Sequence, residues 1–399
     1  MPPSPELQFI SNILGSSFKP NHSHIEENAL PLWDHINWDE LIRLVTYHGI
    51  GGLLFFWLRR TKLESSLPRD VYRRLHDIYE SLSNIAENHQ EVLKRILMRF
   101  NESEIEVILL KGAQLGHMDY PHFSLRPMGD IDLLVNRSNQ SRIIKLMLEM
   151  GFNLYETGQS CNRFFIRQIS KRRKRETDKP IFIEVHSNLQ TPFRLNKSFS
   201  VDMDEFWNGI QMKSIWDGTQ MKSMAGFPFF QLYPTYNLIY LCSHLGEHHF
   251  SRLIWAYDIA LLIHRHREEI DWEKLKDLCP RMKIRSPLYH SLSLCQELFQ
   301  LPVPKKVLKR LSPSWGRRKM FEFLIRKNLL FPEQPRISRF NQFLIKALSI
   351  DSWVEAMLWF LFPTREWIKR EYSLQNKHEI YPYYLLHPVL YLIKSIKAR

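Results

Sequence analysis

The stretch "RPMGDIDLLV", residues 126–135, makes the strictest demand on any fold this chain adopts. It places Asp130 and Asp132 two positions apart, directly ahead of a run of Leu and Val. In a strand, side chains alternate between faces with a period of two. The two aspartates then share one face, while Ile131, Leu133 and Val135 share the other and enter a core. Neighbouring carboxylates repel, and burying either one unpaired is costly. Positive charge is therefore required between them, and a hard divalent cation held by oxygen ligands is the usual solution. The competing reading is a solvated turn at a sheet edge. Gly129, the apolar flank and a further carboxylate downstream, Glu184, favour the cation.

The segments around this strand read differently. Residues 1–100 are expected to be helical. "INWDELIRLVTYHGIGGLLFFWLRR" carries apolar residues at helical spacing, broken at Gly49, Gly51 and Gly52. Residues 70–100 form one long amphipathic pattern, with Leu75, Ile78, Leu82, Ile85, His89, Val92 and Ile96 at steps of three and four. The texture then changes. Ile105 to Leu110 reads as a buried strand that turns at Lys111-Gly112. "DIDLLV" is a second strand, and "NQSRIIKLMLEMGF" a helix ending near Gly151. A basic stretch follows, and "IFIEVHSNL" is a third strand. From about residue 226 the chain reads as helical again, and its last hundred residues mix basic helices with Pro-bounded aromatic segments. The expectation is an α+β chain, a small mixed-sheet core embedded between N-terminal and C-terminal helical regions. Its boundaries are 1–100, 101–225, 226–302 as a helical domain closing a cleft, and 303–399 as a basic, aromatic-rich region.

Composition narrows the partners. The 399 residues are 44% hydrophobic, ample for a core, and carry 55 basic against 42 acidic side chains, a net charge of +13. Such an excess favours nucleotides, nucleic acid or an anionic membrane, against the plainer reading of a basic but ordinary surface. Cys161, Cys242, Cys279 and Cys295 form no CxxC pair, which argues against a zinc ribbon or redox motif and fits a reducing cytosol. The amino terminus lacks a basic stretch followed by an apolar one, so no signal peptide is expected. Apolar runs such as "AMLWFLFP", residues 356–363, fall well short of the roughly 20 residues that span a bilayer. A cytoplasmic protein without a transmembrane segment is expected.

The strand order matters chemically. If the third strand lies beside "DIDLLV", Glu184 joins Asp130 and Asp132. Three carboxylates with one or two Mg²⁺ are what phosphoryl or nucleotidyl transfer needs. A glycine turn at Gly112 lets backbone N–H groups approach phosphates closely. Lys111, Arg126 and the basic run at 171–175 would supply positive charge.

"LLKGAQL", then "RPMGDIDLLV", then "FIEVH" resembles the DNA polymerase beta-type nucleotidyltransferase superfamily: a hydrophobic strand, Gly with a small residue, Asp-x-Asp, and a later acid on a strand. More narrowly, the chain resembles an uncharacterised bacterial nucleotidyltransferase family with "LKG", "RPMGDIDLLV" and an acid-x-His motif. That family continues into a helical region like "HLGEHHFSRLIWAYDIALL". The resemblance runs from about residue 35 to beyond 300. The long block is quite specific, whereas Asp-x-Asp alone would be weak. The resemblance implies that Asp130 and Asp132 hold metal and that Glu184 completes the site and helps activate an acceptor hydroxyl. Gly112 and Ala113 match the Gly-Ser or Gly-Gly turn beneath the triphosphate, with Lys111, Arg126 and Gly129 also against the nucleotide. Ala113 departs from Ser in lacking a hydroxyl, and the 18-position gap from Gly112 to Asp130 exceeds that of compact members.

The implied activity is Mg²⁺-dependent transfer of a nucleoside monophosphate from an NTP, ATP among them, to an unidentified acceptor. Mn²⁺ is the alternative metal. A small molecule, sugar, peptide or protein remain open as acceptors, with pyrophosphate released. Nucleic acid is not favoured, because no separate nucleic-acid-binding module is visible. Two other readings stay open: an inactive nucleotide-binding protein of the same fold, and a transferase using another donor such as a nucleotide sugar.

Several residues admit two readings. Lys111 is a phosphate contact or a solvated strand end. Arg126 pairs with a phosphate or with the aspartates. His186 touches a phosphate or is a hydrogen-bonded core histidine. The 171–175 run grips an acceptor or is a solvated hairpin. "HLGEH", residues 244–248, matches an inverted zinc-peptidase pattern with His244, His248 and Glu247, but no motif supplies a third ligand and the chain has 17 His. The favoured alternatives place His244, His248, Arg252 and Asp258 on one helical face or its continuation. There they either line the cleft opposite the carboxylates or serve as buried polar residues in helix contacts. "LLHPVLYLIKSIK" near the carboxyl terminus is expected to rest on the helical body rather than on a membrane surface.

Overall fold

The computed structural model describes residues 4–19, 30–155, 163–168, 180–186, 219–282, 284–330, 339–363, 365–374 and 380–397. Cys161 and the basic run at 171–175 lie outside them. By internal contacts the chain divides into two compact units. One holds the described residues of 76–186 and 219–237, and the other those of 4–75 and 238–397.

The first unit contains a seven-stranded mixed sheet. Its strands are β1 (Val107–Leu109), β2 (Asp130–Val135), β3 (Phe152–Tyr155), β4 (Arg163–Gln168), β5 (Ile181–His186), β6 (Thr219–Met224) and β7 (Phe227–Leu232). They lie in the order β3-β4-β5-β2-β1-β7-β6. β2 pairs antiparallel with β1 and parallel with β5, while β1 runs parallel to β7. The parallel β2–β5 pair needs a crossover, and the Gln140–Glu149 helix with β3 and β4 lies between these strands in the chain. That helix ends as expected, with Gly151 in the left-handed region.

One core holds the sheet. Ile131, Leu133 and Val135 from β2 meet Ile183 and Val185 from β5, Phe229 from β7, and Leu93, Ile96 and Phe100 from the long helix. Each such side chain, fully buried, contributes about 2 kcal/mol. The long helix spans Arg69–Glu102 and passes from one unit into the other. Leu75, His89, Val92 and Ile96 are buried on it, while Ile78, Leu82 and Ile85 are half-buried.

Three expectations are corrected. The first strand is shorter than Ile105–Leu110, and the Lys111-Gly112 turn opens directly into a helix, Lys111–Met118. Two glycines in "KGAQLGHM" hide that helix from propensity, and tertiary contacts hold it. The chain does not become helical at 226. Ala225 and Gly226, both at positive φ, close a two-residue hairpin between β6 and β7, and the helix begins only at Pro234. β3 and β4, not foreseen, extend the sheet beyond β5.

The second unit is helical among its described residues. Gly49 at φ 69° separates the Trp38–Tyr47 and Gly51–Arg60 helices, as the glycine cluster implied. Asn37 starts the former, its side-chain oxygen accepting from the Glu40 amide at 3.1 Å. No single helix among the described residues is long and apolar enough to cross a membrane.

Candidate active site

Strand register assembles the acids. The β2–β5 ladder sets Asp132 directly beside Glu184 and Leu134 beside His186. Side chains at i and i+2 share a face, so Asp130, Asp132, Glu184 and His186 project to one side. Ile131, Leu133, Ile183 and Val185 fill the core on the other. Asp132, Glu184 and His186 are almost completely buried, at 3%, 5% and 2% exposure.

Burial of two carboxylates, with the half-buried Asp130 beside them, requires compensation. The Lys111 ammonium lies 2.8 Å from Asp132 Oδ1, and the His186 Nε2–H donates to the same oxygen at 2.9 Å. His186 Nε2 is also 3.6 Å from Glu184 Oε1. Burial alone would push the Asp132 carboxyl up, but the Lys111 charge, with the hydrogen bond and charge of His186, holds it well below the usual range. Asp130 goes the other way. Burial, with the neighbouring Asp132 charge, raises it to about 7, against the partial relief of Lys111. The two aspartates of the motif are thus driven apart, one firmly ionised and one poised near neutrality.

Lys111 reaches Asp132 from a backbone in the left-handed region, φ 48°. For a residue with a Cβ that conformation costs about 1–2 kcal/mol. Beside it, the Leu110 amide donates to the Asp132 carbonyl at 3.2 Å and ties the helix start to β2. Gly112 is set by space. A Cβ there would stand 2.6 Å from Met128 Cγ and 3.1 Å from Arg126 Nη1. Gly129 has open space around its own Cβ position. Arg126 is buried, and its Nη1 donates to the Pro127 carbonyl at 2.6 Å. Ala113 is buried in the core, so its methyl faces hydrophobic neighbours. The Gly112 and Ala113 amides lie in the first turn, where a helix supplies no acceptor of its own.

Sequence reasoning missed what anchors this helix. Gln114 Nε2 donates to Asp119 Oδ2 at 3.2 Å and to Gln231 Oε1 at 3.4 Å, and Asn237 Nδ2 donates to Gln114 Oε1 at 2.7 Å. All four residues are buried. The only trace in the sequence is polar residues at positions whose neighbours are apolar.

Two groups among the described residues bring three ligand atoms within 4.8 Å of one another. One is Asp132, Glu184 and His186; Asp130 is not part of it. Two carboxylates with a third close by offer the hard oxygen donors that suit Mg²⁺ or Mn²⁺. The other is His244, Glu247 and His248. These do not share a continuous helical face with Arg252 and Asp258. The Pro234–Glu247 helix ends, His249 and Phe250 take left-handed conformations, and Arg252 precedes a new helix, Leu253–Arg265. The His244 and His248 rings instead pack around Trp255, and the Arg252 guanidinium lies 5.8 Å from the Trp255 ring. Asp258 is buried within the second helix.

Residues 34–300 match the sequence model of a family described as uncharacterised nucleotidyltransferases. Two solved Helicobacter pylori structures are similar. One, provisionally described as a nucleotidyltransferase, shares 15% identity at a TM-score of 0.30, covering 62% of this chain and 98% of its own. The other, JHP933, shares 13% at 0.29, covering 61% and 93%. No curated protein matches. The family match spans two thirds of the chain, including every strand that carries an acid of the site. On that match, this chain belongs to the uncharacterised nucleotidyltransferase family and is a nucleotidyltransferase.

Proposed function

We propose that the protein transfers a nucleoside monophosphate from an NTP to an acceptor hydroxyl or phosphate, with Mg²⁺ or Mn²⁺ as cofactor. The observation that carries this reading is the parallel β2–β5 register, which sets Asp132 beside Glu184 on the face that also bears Asp130. Asp130, Asp132 and Glu184 would hold the cation. When bound, a divalent cation supplies neutralisation of phosphate charge and of the departing pyrophosphate.

The remaining roles belong to the chain. The Gly112 and Ala113 amides, at a helix start, present donors and partial positive charge to phosphate oxygens. The lack of a side chain at Gly112 lets Met128 and the Arg126 guanidinium pack against this turn. Lys111, already beside Asp132, adds a cation at the same edge. The acceptor oxygen forms a bond to the α-phosphorus as the bond to pyrophosphate breaks, and Glu184 takes the acceptor's proton. His186 holds the Asp132 carboxylate in place through its hydrogen bond. The acceptor class is open among small molecules, sugars and peptides.

One observation favours a second reading. Asp132 already pairs with Lys111 and accepts a hydrogen bond from His186, which suits a nucleotide-binding protein without turnover. The deciding experiment supplies purified protein with Mg²⁺, each α-³²P-labelled NTP in turn, and cell extract as acceptor source. Label transfer should fall about a thousandfold or more in Asp132→Asn, as expected for lost metal and phosphate positioning. Tight Mg²⁺-dependent NTP binding without any transfer would instead support the binding protein.

A further inference from the structure

The carboxy-terminal helices leave a large apolar face uncovered. The Trp353–Leu361 and Ile380–Lys397 helices pack on each other, with the Phe360 ring 5.7 Å from His387 and 6.2 Å from Tyr391. Their outward sides are not polar. On the first, Trp353, Val354 and Met357 are exposed, Val354 at 67%. On the second, Tyr381, Leu385 and Val389 recur in steps of four, and Leu385 is 84% exposed. Steps of four trace one stripe along a helix. Ile380 and His387 are buried, so this helix has an inner face as well as an uncovered one. The helix rests on the helical body, as the sequence alone suggested, but this stripe does not. Single exposed apolar residues are ordinary, but stripes on two adjoining helices mark an interaction site.

Charge distribution selects the partner. Residues 303–399 hold 19 basic and 7 acidic side chains, so they carry twelve of the net thirteen positive charges. The Ile380–Lys397 helix contains no Asp or Glu. The exposed Arg365 guanidinium stands 5.9 Å from the Tyr381 ring, so a cation borders the exposed aromatic. A second copy of the chain would set this positive region against its like. Nucleic acid would use the charge but leave the aliphatic stripe in water. An anionic bilayer surface satisfies both, since apolar side chains enter the headgroup boundary while cations meet lipid phosphates. Contact is at the surface, because no single helix among the described residues suits a crossing.

We propose that this carboxy-terminal face docks the protein on anionic lipid membranes. This reading is independent of the transfer chemistry. The test is flotation of the full chain with phosphatidylcholine vesicles, with and without phosphatidylglycerol as a third of the lipid. Binding to the anionic vesicles should be about tenfold tighter or more, and high salt should weaken it. Leu385→Glu combined with Val389→Glu should lower vesicle binding about tenfold or more, while circular dichroism and the thermal midpoint stay unchanged. Val354→Glu, on the other helix, should lower it independently and guards against a folding artefact in the double variant. The proposal is overturned by equal or absent flotation with both lipids, or by wild-type binding that both variants retain. It is equally overturned by a stable dimer that Leu385→Glu dissociates, or by tight RNA binding without vesicle binding.

Discussion

Asp130 and Asp132 share a motif and a face, yet their surroundings separate them. Asp132 has Lys111 and His186 on one oxygen, whereas Asp130 feels burial and two nearby carboxylates. The consequence for stability has a definite sign. An unfolded aspartate titrates near 3.9, while Asp130 in the fold titrates at about 7. Between about pH 4 and 7 the folded protein keeps a proton that the unfolded chain has lost. That contribution is complete below this window and is lost as pH rises through 7. Asp130→Asn carries no such charge. In urea unfolding without divalent cations, wild type should lose on the order of 3 kcal/mol relative to Asp130→Asn between pH 5 and pH 8. Parallel profiles would place the Asp130 carboxyl at its ordinary value. Asp132→Asn differs, because it removes the carboxylate that the half-buried Lys111 and the buried His186 both contact, and should destabilise by about 3 kcal/mol.

The Lys111–Met118 helix is the element that brings cationic and backbone donors to the strand acids. It is short and glycine-containing, so isolated propensity would not form it. Gln114, joined to Asp119, Gln231 and Asn237, fixes it within the unit. Gly112 is the point of closest approach, with Met128 against it. Gly112→Ala should cost about 1–3 kcal/mol through the clash with Met128. Met128→Ala in the same chain should recover part of that loss. A double-mutant cycle on urea midpoints measures the coupling, and additivity would show that the two sites do not touch.

At the scale of the molecule, the proposed chemistry and the proposed membrane face lie in separate units. Mg²⁺ with a non-hydrolysable NTP analogue should protect amides from hydrogen exchange where the site is built. Protection by at least about fivefold is expected in β1, the Lys111–Met118 helix, β2 and β5, following the binding free energy. The Ile380–Lys397 helix should gain none from nucleotide and should gain it from anionic vesicles. Protection in that helix by nucleotide alone would place the binding site elsewhere.

Some of this was determined by sequence alone. The period-two placement of Asp130, Ile131, Asp132 and Leu133 specifies a strand with an acidic and an apolar face, because alternation is a local property of extended backbone. The long helix was legible for the same reason, its apolar positions recurring at the helical period over many turns. The glycine break at Gly49 was equally legible. Tertiary structure decided the rest. Which strand lies beside β2, and in what register, is a long-range pairing that no local pattern encodes. Only that pairing brings Glu184 to Asp132, and His186 to the same oxygen as Lys111. β7 escaped notice because its central-strand composition depends on β1 beside it. The opposite protonation tendencies of two identical side chains arise from burial and neighbouring charge, quantities that exist only once the chain has folded.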